Sequence, residues 1–175
     1  VLGFNYGHDA SACVLVDGEI KAAIAEERLT RIKNDASFPI HSIRWCLEWA
    51  GLDDGDIDLV ASAGQVLRLD ARHFFDFPPD IQQGFFGLKS RMKMAFRDKF
   101  FPGIGVVQGG LPLYCEKIEL RPDCQVVTVG HHLAHAASAY YTAGLGHKKT
   151  LIVTMDGLGD HTSSALWVGE GNRIT

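Results

Sequence analysis

Two stretches roughly 150 residues apart, SACVLVDGEI (11–20) and SALWVGEGNRI (164–174), share one short pattern. Each reads Ser, Ala, a short apolar run, an acid–Gly turn and a return strand. Before each comes an apolar strand ending in a Gly/Asp/His turn, GHDAS (7–11) in the first and DGLGDHTSS (156–164) in the second. A strand–turn–strand–turn unit that recurs at this distance suggests two similar lobes, each opening with a hairpin sheet. Hairpin signals are degenerate, and chance similarity is the competing reading. The repeat still constrains the chain more than any other feature, because it says where each lobe starts.

Within the first lobe, Leu2–Tyr6, Ser11–Val16 and Glu19–Ala25 read as three strands. Asp17-Gly18 is a strong hairpin signal, since a type I′ turn needs positive φ at both central residues. Ser37–Gly51 reads as an amphipathic helix: Ile40, Ile43, Cys46, Leu47 and Ala50 follow the 3.6-residue period, and Gly51 ends it. Asp58–Ala63, Gln125–Gly130 and Leu151–Met155 are short apolar runs of buried-strand character. Residues 64–112 are less regular and read as an insertion on a simpler scaffold. The expected class is α/β, with a mixed sheet that includes an N-terminal three-stranded hairpin sheet. The expected division is a first lobe over 1–149 and the start of a second over 150–175. The chain opens inside a strand and closes on the start of another, so it reads as a segment of a longer protein.

The gross numbers exclude several classes. A chain of 175 residues with 46% apolar and 22% charged residues can bury a real core. A net charge of −4 offers no electrostatic footprint for nucleic acid. The basic run Lys89, Arg91, Lys93, Arg97 and Lys99 reads as a solvated helix face. AEERLTRIKND (25–35) reads as a charged loop, with Arg28, Arg31 or Lys33 beside an anionic substrate as the other reading. Four cysteines without CxxC spacing, Cys13 and Cys46 inside apolar patterns, fit reduced core thiols and a cytoplasmic setting. No signal peptide or run of transmembrane length is present in the sequence.

GHHLAHAASAYY (130–141) carries the sharpest chemical signal. On a helix, residues four apart share a face, so His131 and His135 fall on one polar stripe with Ser138 and Thr142. His132 falls on a small-residue stripe with Ala136 and Ala139, suited to packing. His131 and His135 are therefore the candidate metal ligands. Asp156 follows the LIVTM strand at its carboxyl end, where α/β folds place ligands. If that strand and QVVTVG are parallel, the three residues point to one crevice. Two His and one carboxylate suit iron(II) and also zinc. Against this, Asp156 before Gly157 can be an ordinary turn residue, and Asp160 and His161 compete for the role.

His8 and Asp9 of GHDAS occupy a tight turn between strands, where backbone N–H groups and side chains can face a ligand. In the second lobe DGLGD (156–160) is its counterpart, with Gly157 and Gly159 permitting close backbone approach to a phosphate and Asp160 beside them. Neither a Walker A loop nor a GxGxxG fingerprint occurs in the sequence.

GHDASACVLVDGEIKAAIAEERLTRIKNDASFP (7–39), GHHLAHAASAYY (130–141) and TMDGLGDHTSS (154–164), taken in order, resemble the N-terminal part of the O-carbamoyltransferases of nodulation and antibiotic biosynthesis. The resemblance implies an actin-like, ribonuclease-H-like lobe followed by the first hairpin of a duplicated second lobe, truncated here. It implies transfer of a carbamoyl group from carbamoyl-adenylate, formed from carbamoyl phosphate and ATP by a downstream adenylate-forming domain, to a hydroxyl of a small-molecule acceptor. It implies iron(II) held by His131, His135 and Asp156, and His8 beside the carbamoyl group, with a further ligand and much of the nucleotide pocket in the missing part of the second lobe. This segment alone is then expected to be inactive. A neutral His8 would be suited to take the acceptor hydroxyl's proton. A tRNA threonylcarbamoyl-transferase relative would share the helix, but a tRNA partner favours a basic surface. A non-catalytic actin-like module would keep the hairpins without needing clustered histidines. Neither a nucleic-acid nor a membrane partner is expected.

Overall fold

The computed structural model describes residues 1–6, 9–63, 118–145 and 148–175. The expected insertion at 64–112, the basic run at 89–99, Gly7 and His8 lie outside the described residues. Among the described residues the chain divides into two compact units, the first containing residues 1–62 and 118–127 and the second residues 63 and 128–175.

In the first unit, β1 (Leu2–Asn5), β2 (Ser11–Val16) and β3 (Glu19–Ala25) form the expected antiparallel meander. Val16 pairs with Glu19 across Asp17 (φ 52°) and Gly18 (φ 81°), so both turn residues have the positive φ that a type I′ hairpin demands. Strand alternation turns Leu2, Phe4, Ala12 and Val14 into the core. β4 (Leu59–Ala63) lies parallel to β1, with Leu2 opposite Val60, and β5 (Gln125–Val129) completes the order β3-β2-β1-β4-β5. The sheet is mixed, as expected of an α/β chain.

Residues 25–35 correct the expectation of a charged loop. Glu26–Thr30 is a short helix, α1, and Glu26 at its start is fully buried. Its carboxylate accepts the Ser42 N–H at 2.8 Å, the Ser42 hydroxyl at 2.6 Å and the His41 N–H at 3.2 Å, and its Oε1 also meets His41 Nδ1. The next helix, α2 (Ile40–Ala50), therefore receives its N-terminal cap from another element. Pro39 at the cap position explains why α2 begins three residues later than the pattern suggests: a residue before proline is disfavoured in α conformation. At the other end Gly51 (φ 67°) bonds to Glu48 O and Leu52 N–H to Leu47 O, a Schellman closure that only a residue tolerant of positive φ allows cheaply. Ile40, Ile43, Cys46 and Leu47 are buried against β2 and β3, joined by Ile118 and Cys124. Burial pushes the Cys46 thiol up to about 11, so it behaves as a small core residue.

The second unit is a helix on a three-stranded antiparallel sheet. α3 (His131–Thr142) packs on β6 (Thr150–Gly159), which pairs with β7 (Thr162–Glu170) and then β8 (Arg173–Ile174). Ile152 and Thr154 face α3, where Ala136 and Tyr140 are buried, while Leu151, Val153 and Met155 alternate to the exposed face. The Tyr140 ring rests on Gly169, where a Cβ would come within 2.5 Å of it. Both units thus hold a three-strand meander where the sequence repeat falls. Among the described residues, no helix is long and apolar enough to cross a membrane.

Candidate metal centre

Helix α3 offers three histidines in its first two turns, and their neighbours sort them. His132 shares its face with Ala136 and Tyr140, and all three are buried; Ala139, which the helical spacing placed with them, is exposed. The His132 Nε2–H donates to Thr162 O at 3.0 Å, which leaves Nδ1 to accept from the Thr154 hydroxyl at 3.0 Å. Trp167 Nε1–H in turn donates to Thr154 Oγ1 at 3.3 Å. His132 is a structural pin between the helix and the hairpin. The signal for it was present in the strand alternation, which puts Thr154 on the same inward face as Ile152.

His131 and His135 point the other way and meet Asp156. His131 Nε2 lies 2.6 Å from Asp156 Oδ2, His135 Nε2 lies 3.4 Å from that oxygen, and the two Nε2 atoms are 3.0 Å apart. The three side chains are the one such His/Cys/Asp/Glu group of metal-ligating geometry among the described residues. His135 and Asp156 are exposed, at 54% and 40%, so the cluster is open to solvent. The expected route to this convergence was two parallel strands. Instead, β5 and β6 belong to different sheets, and the cluster forms because α3 packs directly on the hairpin that carries Asp156.

Asp156 sits in an irregular stretch of that hairpin. The β6–β7 ladder runs from Thr150–Gly169 to Met155–Ser164, breaks, and resumes at Gly159–Thr162. Inside the break, Asp156 Oδ1 accepts the Gly157 N–H at 2.6 Å, which leaves Oδ2 turned to the histidines. The hydrogen bond from His131, reinforced by that from Gly157, pulls the Asp156 carboxyl from its ordinary 3.8 to about 2.

The remaining expected residues fall in distinct places. Gly157 has open space where a side chain would stand, whereas a Cβ on Gly159 would collide with the His131 ring. Asp160 accepts the backbone N–H of His131 through Oδ2 at 2.6 Å. His161, the other competitor for the ligand role, is exposed at the hairpin turn with φ 69°. Asp9 is exposed in the β1–β2 loop with φ 58°, and its carbonyl accepts from Asn5 Nδ2 at 3.4 Å. His8 lies outside the described residues. In 25–35, Lys33 is paired with Glu27 at 3.2 Å.

Fold and cluster together define an α/β protein with a candidate mononuclear, two-histidine, one-carboxylate centre. The chain belongs to the carbamoyltransferase N-terminus family, which it matches over residues 1–175. It is 30% identical over its whole length to an uncharacterized protein of Synechocystis, of which it covers 28%. It is 32% identical over 97% of its length to the nodulation protein NolNO of Sinorhizobium fredii, of which it covers 22%. A shorter stretch of 38 residues is 53% identical to an uncharacterized protein of Methanocaldococcus jannaschii. The chain therefore spans about a quarter of the length of the first two relatives.

Proposed function

We propose that this chain is the N-terminal segment of an O-carbamoyltransferase, moving a carbamoyl group from carbamoyl-adenylate, made from carbamoyl phosphate and ATP, to a hydroxyl of a small-molecule acceptor. The family match over all 175 residues supports the transferase class. The meander that recurs in both units supports the actin-like, duplicated-lobe architecture, with the adenylate-forming domain elsewhere in the polypeptide.

The observation that carries the reading is the convergence of His131, His135 and Asp156. His131 Nε2, His135 Nε2 and Asp156 Oδ2 all lie within 3.4 Å of one another on a solvent-open face, so one cation could be bonded by all three. Donor separations of 2.6–3.4 Å are close to the ~3.0–3.4 Å expected around an ion bonded at 2.0–2.1 Å. His131, His135 and Asp156 would hold iron(II), with zinc as the alternative ion. Bound there, the ion would supply Lewis acidity toward a carbonyl or phosphate oxygen.

The chain's own groups divide the rest of the work. In the metal-free site Asp156 is held as a carboxylate, its carboxyl pulled down to about 2 by the hydrogen bonds from His131 and Gly157. The β1–β2 loop that carries His8 and Asp9 is anchored at Ala10, whose carbonyl accepts the Glu26 N–H at 2.8 Å and whose N–H donates to Asp35 O at 2.9 Å. From that loop His8 takes the acceptor hydroxyl's proton as it attacks, an effect worth ~10²–10⁴ in rate. Gly157, with free space above it, is where a nucleotide phosphate can approach the backbone.

The test uses the full-length protein with carbamoyl phosphate, ATP and a panel of hydroxyl acceptors, read by mass spectrometry alongside metal analysis. The parent is expected to contain iron and yield carbamoylated product. His131→Ala with His135→Ala should lose both metal and transfer yet still form carbamoyl-adenylate. His8→Ala should keep metal and adenylate formation and lose transfer. A parent that consumes no carbamoyl phosphate with ATP would sink the transferase reading.

A further inference from the structure

Two contacts from the tip of the β6–β7 hairpin, one from Gly159 and one from Asp160, converge on His131. Gly130, the residue before α3, has no side chain with which to cap the helix, so the first-turn N–H groups need partners from elsewhere. The His131 N–H finds one in Asp160 Oδ2 at 2.6 Å, a short bond. One residue earlier, Gly159 lies so close beneath the His131 ring that a Cβ there would stand 2.1 Å from Cδ2 and 2.7 Å from Nε2.

The turn is built to aim that carboxylate. Gly159 pairs with Thr162, which leaves Asp160 (φ 48°) and His161 (φ 69°) as a two-residue hairpin loop with positive φ at both positions. Asp is among the few non-glycine residues that enter this region readily. Four residues back along the same tip, in the break of the ladder, stands Asp156. One short loop therefore carries one member of the candidate centre and holds the helix turn of another.

We infer that Asp160 is a positioning residue of the His131–His135–Asp156 centre: its carboxylate, by accepting the His131 N–H, sets the distance between the helix ligands and Asp156. This rests on the metal reading above. In this role Asp160 acts as a hydrogen-bond acceptor on the backbone, and neither its charge nor direct contact with an ion or phosphate is what the centre requires of it. Outer partners of metal ligands act by orienting those ligands, and their loss typically costs 10–100-fold in metal affinity.

The experiment compares two substitutions that both tolerate positive φ. Asp160→Gly removes the acceptor, and Asp160→Asn keeps an acceptor oxygen while removing the charge. Each full-length protein is titrated anaerobically with cobalt(II), and the visible d–d absorption gives both affinity and coordination geometry. D160G should bind about 10–100-fold more weakly, with an altered band. D160N should remain within about threefold of the parent with the same band, since Asn and Asp cap helices comparably. Circular dichroism at the titration temperature shows whether each variant is folded. Equal affinity in D160G and parent would overturn the inference and leave the metal reading standing. A D160N as weak as D160G would also overturn it, because charge or direct ligation would then be the role. A parent that binds no cobalt would remove the metal reading and this inference together.

Discussion

The imidazole of His131 lies against the bare Cα of Gly159, with Cδ2 only 2.1 Å from where a Cβ would stand. The contact is with a packed ring rather than with the tip of a mobile chain, so a methyl group there must push the ring aside. Gly159→Ala is expected to lower metal affinity by tenfold or more, following the loss typical of disturbed ligand orientation, and to destabilise by ~1–3 kcal/mol through overpacking. Gly157→Ala is the control, since nothing stands within 4 Å of its added Cβ. Isothermal titration of both variants with cobalt(II) checks the contrast.

Asp156 predicts a pH window. Its carboxyl sits at about 2 when folded, against an ordinary 3.8. A lowered folded value means the unfolded chain binds more protons between these two pH values, so stability rises with pH there. The contribution is fully present above about pH 4 and is lost as pH falls through about 2. With metal removed by a chelator, the stability difference between parent and Asp156→Asn should shrink as pH falls from about 4 to about 2. A carboxyl ¹³C titration of Asp156 with a midpoint near 3.8 would contradict the cause assigned.

Glu26 holds the first unit together from the inside. Glu26→Ala strands the Ser42 N–H, the Ser42 hydroxyl and the His41 N–H at the start of α2. Unsatisfied buried groups cost ~1–3 kcal/mol each, so a loss on the order of 3 kcal/mol or more is expected. Glu26→Gln keeps one acceptor oxygen and should lose less. Urea denaturation of the two variants orders them.

His132 should matter to the hairpin without being a ligand. His132→Ala leaves Thr162 O and the Thr154 hydroxyl without their buried partner, at ~1–3 kcal/mol. Hydrogen exchange should quicken in β6 and β7 and stay unchanged in β1–β3. Equal protection in β6 and β7 would show that the pin carries no weight.

Much of the local structure was legible because its causes are local. Asp17-Gly18 announced a turn through φ alone, and Ile40, Ile43, Cys46 and Leu47 announced a helix face through their spacing. The split of His131 and His135 from His132 followed from helical geometry in the same way. Glu26 was not legible, since a carboxylate within EERLTR looks solvated until a second helix brings Ser42 and His41 to it. The Asp160 contact was not legible for a similar reason: its partner is a backbone N–H 29 positions away.

Sequence by itself determined which residues share a face, where turns fall and which side chains can ligate, because dihedral preference and strand or helix period act over a few residues. It also placed the chain in its family. Tertiary structure alone decided that β5 and β6 belong to different sheets and that α3 packs on the hairpin. That packing brings Asp156 to 2.6 Å from His131, across 25 positions of chain. A distance between elements depends on how buried faces such as Ala136, Tyr140 and Ile152 fit together. Such fits are set by volume and shape in three dimensions, which no local pattern records.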